Sequence, residues 1–243
     1  DGKESRGAVV YFVDTWTNYF TPQVGIAAVK LLEGAGFSVD CPRTVCCGRP
    51  AISQGLLTEA GQLAEINVQR LSRAAPPGVP IVGSEPSCIL TLVDEYPQLV
   101  RTQGARRVAS QTITIESFLR RVLNERPDAL RFRPPQSPLL YHAHCHQKAM
   151  VGSADAVALL GAAFGGGATE INSGCCGMAG AFGHEVEHYD VASAIGEQRL
   201  FPAIRGRKEA EVAVSGFSCR QQIEHHAGVH PKHVVEYLAE LLV

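Results

Sequence analysis

Two adjacent cysteines followed by a glycine occur twice in this chain, as Cys46-Cys47-Gly48 and Cys175-Cys176-Gly177, 129 residues apart. The spacing around them repeats as well. Thr15 and Cys145 are 130 apart, and Cys88 and Cys219 are 131 apart. Ser84-x-x-Ser87-Cys88 returns as Ser215-x-x-Ser218-Cys219. So little drift points to one structural unit used twice. Adjacent cysteines also limit what the thiols can do. Their Cα atoms sit about 3.8 Å apart, closer than an unstrained disulfide prefers, so each pair is better suited to bringing two thiolates to one point. The glycine after each pair implies positive φ or a close approach.

Hydrophobic periodicity gives each unit the same order of elements. In the first, residues 8–13 read as a buried strand, followed by a polar loop at Asp14, Thr15, Thr17 and Asn18. A helix opens at Pro22 and stops at Gly34 and Gly36. A strand over 37–39 runs into the first cysteine pair. A long helix over 55–73 follows, with Leu56, Ala60, Leu63, Ile66 and Leu71 as its apolar stripe. A strand over 79–83 leads to Cys88, with helices over 89–100 and 113–124 behind it. The second unit reads as strand 139–143, helix 155–164, strand 169–171, long helix 187–205, strand 211–214 and helices over 220–228 and 231–243. The expected fold class is therefore α/β: two duplicated Rossmann-like units with parallel strands, right-handed crossovers and a pseudo-twofold relation. Expected boundaries are 1–125 and 139–243, joined by a linker over 126–138 that carries four prolines.

Composition narrows the function classes. A net charge of -2 offers no electrostatic footprint for nucleic acid or anionic membrane. No apolar run approaches the roughly 20 residues of a membrane span. The eight cysteines suit metal in a reducing compartment better than a secreted disulfide framework, because a chain this long needs no such staples. The start at Asp1 rather than Met is read as a piece of a longer polypeptide or a trimmed chain. No G-x-G-x-x-G follows a strand, no P-loop is present, and there is no C-x-x-C-x-x-C run of the ordinary ferredoxin kind.

Ligands of such sheets bind outside the carboxyl ends of the strands. In the second unit Cys145, Cys175, Cys176 and Cys219 all fall there, and soft thiolates select zinc or iron–sulfur. In the first unit Thr15 replaces the first-strand cysteine, leaving Cys46, Cys47 and Cys88. Those three either bind zinc, with water, histidine or Glu85 completing it, or hold no metal. Cys41 is expected to be a buried structural thiol. Asp14, Asn18, Arg49 and Ser53 gather at the same edge. They form either a polar pocket for a carboxylate, with Arg49 as bidentate partner, or ordinary loop caps and surface ion pairs.

Strand alternation would send Cys145 to one side and His144 and His146 to the other. His146 is expected to hydrogen-bond a thiolate rather than to ligate. His184 to His188 spell H-E-x-x-H on one helix, but the adjoining cysteines already supply a site and no third ligand is evident. His225, His226, His230 and His233 read as surface or packing residues.

These residues together resemble the CCG-domain family, the duplicated cysteine-rich module with a C…CCG…C arrangement. The resemblance spans about residues 9–230. Four stretches, Asp14-Thr15-Trp16-Thr17-Asn18-Tyr19-Phe20, Cys46-Cys47-Gly48-Arg49-Pro50, Glu85-Pro86-Ser87-Cys88 and Cys176-Gly177-Met178-Ala179-Gly180, are similar to the C-terminal module of FAD-linked oxidases of 2-hydroxy acids. The iron–sulfur component of glycolate oxidase and the cysteine-rich component of heterodisulfide reductase are further relatives of this type.

The resemblance implies an iron–sulfur cluster of the 4Fe–4S type in the second unit, held by Cys145, Cys175, Cys176 and Cys219. The family's fuller motif ends C-x-x-C, and this chain has Glu85 and Gly216 in place of the first of those cysteines. The implied function is electron transfer within a flavin-linked dehydrogenase of lactate, glycolate or 2-hydroxyglutarate type. FAD would sit in a partner subunit or domain, next to a ferredoxin-like domain. The location would be cytoplasmic, at the inner membrane face through partners. A zinc-binding or metal-free docking module and a disulfide reductase of the heterodisulfide type are the alternatives. The first unit is expected to have exchanged its cluster for ligand binding or docking.

Overall fold

Short runs of β-branched and aromatic residues bounded by glycine or polar turns form the strands, as their propensities direct. The computed structural model describes residues 6–243. The chain divides into two units, the first ending at Arg131 and the second running from Phe132 to Val243. The first contains β1 (Ala8–Tyr11), β2 (Ser38–Asp40), β3 (Ile81–Gly83) and β4 (Thr112–Thr114); the second contains β5 (Leu139–His142), β6 (Ala168–Glu170), β7 (Glu211–Val214) and β8 (Lys232–His233). Strand order is β2-β1-β3-β4 in one sheet and β6-β5-β7-β8 in the other. Every pairing within them is parallel. Both units are thus α/β sheets of one topology, as the repeat predicts.

The duplication extends to side chains. Tyr11 Oη lies 2.8 Å from Ser84 Oγ, and Tyr141 Oη lies 2.7 Å from Ser215 Oγ. Each buried pair ties a central strand to the loop leaving its neighbour. Asp14 and His144 are likewise equivalent, each capping the short helix that follows the first strand of its unit.

β4 and β8 were not anticipated. They are three and two residues long, too short for a periodic signal, and they pair with the outer sides of β3 and β7. The loop expected after β1 is a helix, Thr15–Tyr19, because Asp14 accepts hydrogen bonds from the backbone N–H groups of Trp16 and Thr17. The stripe expected on the long helix Leu57–Ala74 is also corrected: Leu56 and Ile66 are exposed, while Ala60, Ala64, Asn67, Val68 and Leu71 face inward.

The single helix expected over 187–205 is two, Tyr189–Glu197 and Leu200–Arg205. Pro202 explains the break. Inside a continuous helix its ring would collide with the carbonyl of residue 198, whereas in a new first turn it costs nothing. The two pieces meet where Gly196 touches the Phe201 ring, and a Cβ there would lie 2.2 Å from that ring. Gly196→Ala is therefore expected to lower stability by about 1–3 kcal/mol through overpacking. Gly161→Ala, in a helix where a Cβ meets nothing within 4 Å, should be neutral or raise stability by up to about 1 kcal/mol. Urea unfolding of both variants checks the pair; equal losses would overturn the packing account.

Candidate metal centre

The three loops leaving β5, β6 and β7 carry the four thiols of the second unit to one place. Cys145 opens the helix Cys145–Met150 immediately beyond β5. Cys175 and Cys176 follow β6, and Cys219 lies in the first turn of Phe217–Ala227 beyond β7. Hydrogen bonds join them in a chain, Cys145 to Cys175, Cys175 to Cys176 and Cys176 to Cys219. Cys145 and Cys175 are half-buried, whereas Cys176 and Cys219 belong to the apolar core with Met178, Phe201 and Val214.

The chain of thiols alternates in charge preference. Hydrogen bonds from Cys145 and Cys176 draw the Cys175 thiol well below its ordinary value. Cys145 and Cys176 are pushed up, first by holding the proton of a bond to Cys175 and then by burial. Cys219 is lowered by the bond from Cys176, assisted by His142 and His144. The four sulfurs thus share protons along one strand edge, and a metal would replace those protons.

The surrounding backbone reinforces this. Gly177 takes φ +98°, as expected of the glycine after the pair, and its N–H donates to Cys175 Sγ at 3.3 Å. A Cβ on Gly177 would lie 2.0 Å from the carbonyl oxygen of Ala192. Lys148 donates to the carbonyl of Ser173, holding the segment before Cys175 against the helix that carries Cys145.

His142 is fully buried; its Nδ1 lies 2.8 Å from Ser173 Oγ, and its ring hydrogen-bonds the Cys219 sulfur. His144 is not turned away by strand alternation, because β5 ends at His142. Instead its Nδ1 accepts from the N–H of His146 at 3.2 Å, capping the helix. Its ring fills the space over Gly216, where a Cβ would lie 2.4 Å from Cδ2. Among the expected residues, His146 contributes its backbone N–H toward Cys145.

The first unit repeats the arrangement with one sulfur fewer. Cys46 bonds to Cys47, and Cys47 Sγ lies 3.1 Å from Cys88 Sγ. The Thr15 hydroxyl bonds to Cys46, as Cys145 bonds to Cys175. Hydrogen bonds between the thiols, together with burial, keep them protonated. Cys46 is pushed up by its bond to Cys47 and by desolvation, and Cys88 rises to about 11 although its bond from Cys47 opposes the shift. Gly48 takes φ +89°.

The turn is clamped by Asn67, which sequence reasoning missed. Its Oδ1 accepts from Val45 N at 2.9 Å, and its Nδ2 donates to the carbonyls of Val45 and Cys46 and to Tyr96 Oη. Tyr96 in turn donates to the Cys47 carbonyl at 3.0 Å. The available signal was an asparagine on the buried stripe of a helix, where only a residue with partners is tolerated.

Other expected residues fall elsewhere. Cys41 is exposed rather than buried, because it follows β2 at the sheet's outer edge, and it joins no thiol pair. Asp14 is buried and spent on capping and on the Thr17 hydroxyl at 2.6 Å. Arg49 pairs with Glu95 and donates from Nε to Thr91 at 3.0 Å. Asn18 and Ser53 are exposed. The H-E-x-x-H stretch lies on two 3₁₀ turns rather than one α-helix, and His188 pairs with Glu185 at 2.8 Å.

Among the described residues no group of three or more His, Cys, Asp or Glu side chains is arranged to hold a single metal ion. The donor set of the second unit fits a polynuclear sulfur-ligated centre on other grounds. It offers four linked thiols, backbone N–H groups aimed at sulfur, and a buried imidazole hydrogen-bonded to the Cys219 sulfur.

Comparison with known proteins gives the family. The model of the cysteine-rich domain, CCG, matches residues 9–93. The chain is 29% identical over 239 residues to a component of the anaerobic glycerol-3-phosphate dehydrogenase of Escherichia coli (strain K12), covering 98% of this chain and 60% of that protein. It is 26% identical to D-2-hydroxyglutarate dehydrogenase of the same organism, covering all of this chain and 23% of that protein. It is 30% identical over 183 residues to lactate utilization protein A of Anoxybacillus flavithermus (strain DSM 21510 / WK1), covering 72% of this chain and 74% of that protein. The chain therefore spans about three-fifths of the first of these relatives and about a quarter of the second.

Asn67→Ala leaves buried backbone groups of the first cysteine turn unpaired and should cost about 2–4 kcal/mol. Gly177→Ala forces both a positive φ and a backbone collision, and should destabilise more than Gly48→Ala, where a Cβ would approach no atom closer than 3.5 Å. Thermal unfolding ranks the three variants; a Gly48→Ala loss equal to that of Gly177→Ala would reject the close-approach explanation.

Proposed function

This chain belongs to the cysteine-rich CCG-domain family, and on that premise we propose that it is the iron–sulfur electron-transfer module of a flavin-linked 2-hydroxyacid dehydrogenase. The observation that carries this is the linked set Cys145, Cys175, Cys176 and Cys219 at the carboxyl edge of one parallel sheet. The names of the similar proteins support the class: two are dehydrogenases or components of one, and the third serves lactate utilization.

An iron–sulfur cluster, here of the 4Fe–4S type, supplies one-electron transfer when bound. The chain's own residues prepare its surroundings. Cys145, Cys175, Cys176 and Cys219 hold it. N–H groups of His146, Gly177 and Ala179 point at the sulfurs of Cys145 and Cys175 and offset negative charge there. Burial of Cys176 and Cys219 excludes water from one side. Both influences set a reduction potential. Electrons would arrive from FAD in a partner subunit or domain, next to a ferredoxin-like domain, after oxidation of a small 2-hydroxy acid. No described helix is long and apolar enough to cross a membrane; we place the module in the cytoplasm, at the inner membrane face through its partners.

In the first unit we propose a metal-free thiol site. Thr15 supplies a hydroxyl where a fourth sulfur would sit, and Asn67 and Tyr96 hold the turn without metal. Its edge, with Arg49 and Asn18, would then serve ligand or partner docking. A zinc module is the competing reading of the second unit.

Anaerobic purification, with iron and zinc counted and EPR recorded on the reduced protein, decides between them. Iron should exceed zinc several-fold. Cys145→Ser, Cys175→Ser, Cys176→Ser and Cys219→Ser should each lose most of the iron, since a hydroxyl is a poor ligand for a soft site. Cys41→Ser, Cys46→Ser and Cys47→Ser should retain it, and Arg49→Ala should weaken partner binding at unchanged iron. Zinc without an EPR signal, or equal iron loss from all seven cysteine variants, would reject the assignment.

A further inference from the structure

Away from the sulfurs, the first unit carries a cleft of about 600 Å³ lined by Ser72, Gln103, Gly104, Arg106, Arg107 and Ser110. Five of these belong to the helix Gln103–Gln111, and Ser72 lies in the last turn of Leu57–Ala74. The latter helix returns the chain from the side of the first cysteine turn to the start of β3. Its last turn therefore lies toward the amino ends of the strands, away from the thiols. The lining holds no acidic residue and no large apolar one.

The charge in this cleft is uncompensated. Among the described residues no carboxylate pairs with Arg106 or Arg107. Arg107 Nη2 donates to the Ser72 carbonyl at 2.8 Å, which is a neutral acceptor. Two buried polar atoms of the lining, Arg107 Nε and Ser72 Oγ, have no hydrogen-bonding partner. Such groups are costly when left alone, and an oxyanion satisfies donors of this kind well. A Cβ on Gly104 would lie 3.6 Å from Ser72 Oγ and 3.4 Å from Val68 Cγ1, so glycine keeps the cleft open beside the hydroxyl. Thr102 accepts from the Ala105 N–H. The N–H of Gly104, in the same first turn, remains a donor at the positive end of the helix.

We propose that this cleft binds a small phosphate monoester, with the phosphate held by the guanidiniums of Arg106 and Arg107 and the Gly104 N–H. Near neutral pH such a group carries close to two negative charges and three acceptor oxygens. Two guanidiniums match it better than they match a single carboxylate. The cleft is far larger than a phosphate and falls in the size range of small-molecule sites, which leaves room for the organic part. The site needs no metal, so its failure leaves the iron–sulfur assignment untouched.

The test titrates the ¹⁵N-labelled 243-residue chain with phenyl phosphate, inorganic phosphate and succinate, followed by NMR. Phenyl phosphate should bind saturably and move the Gly104 amide signal, with the other two about tenfold or more weaker. Arg106→Gln should weaken binding about tenfold or more by removing charge-assisted hydrogen bonds. Arg106 is exposed, so this variant should melt like the unsubstituted protein. Gly104→Ala should weaken binding by filling the space beside Ser72. Ser72→Ala should weaken it too, yet keep or raise the melting temperature without ligand, because it removes a buried hydroxyl that has no partner. Absence of saturable binding overturns the proposal, as does unchanged affinity in Arg106→Gln or a set of shifts that excludes the cleft. Succinate binding as tightly as phenyl phosphate overturns the phosphate assignment. Inorganic phosphate binding as tightly overturns the ester.

Discussion

Everything in either unit depends on parallel strands ending side by side. In the order β2-β1-β3-β4 the first strand lies between the second and the third, so three successive loops emerge at neighbouring points on one edge. Residues more than 70 positions apart, such as Cys145 and Cys219 or Tyr11 and Ser84, then meet without any long excursion of the chain. The sulfur site is the chemical use of that edge, and the tyrosine–serine pairs brace it mechanically. Since the pairs are present in both units, the frame does not rely on the number of sulfurs it displays.

Much of this was legible because the repeat and the strand runs carry strong signals. Two copies of a cysteine pair with matched flanks fixed the topology twice over, and the convergence of Cys145, Cys175, Cys176 and Cys219 followed from it. What escaped was local and polar. β4 and β8 are too short to show a period. The capped helix after Asp14 looked like a loop because its residues favour loops until the cap is recognised. The break at residue 198 was hidden by an apolar pattern that continues through it, although Pro202 was in plain view. Asn67 and His142 escaped notice because their importance lies in partners that only three dimensions reveal.

The two units solve the same geometric problem with different chemistry. The first uses Asp14 and Thr15 where the second uses His144 and Cys145, and it secures its cysteine turn by a network of neutral hydrogen bonds through Asn67 and Tyr96. The second secures its turn through Lys148 at the Ser173 carbonyl, His142 at the Ser173 hydroxyl and the Gly177 N–H at Cys175. A site of protonated thiols on a braced turn is complete as it stands. The second unit displays four sulfurs linked by hydrogen bonds, with a buried imidazole bonded to the last of them.

The burial of the four second-unit sulfurs is graded: Cys145 and Cys175 reach the surface, while Cys176 and Cys219 lie in the core. That gradient gives the centre a direction. On the reading proposed above, a metal supplied from outside would meet the first two sulfurs before the last two, and chelators would reach it by the same route.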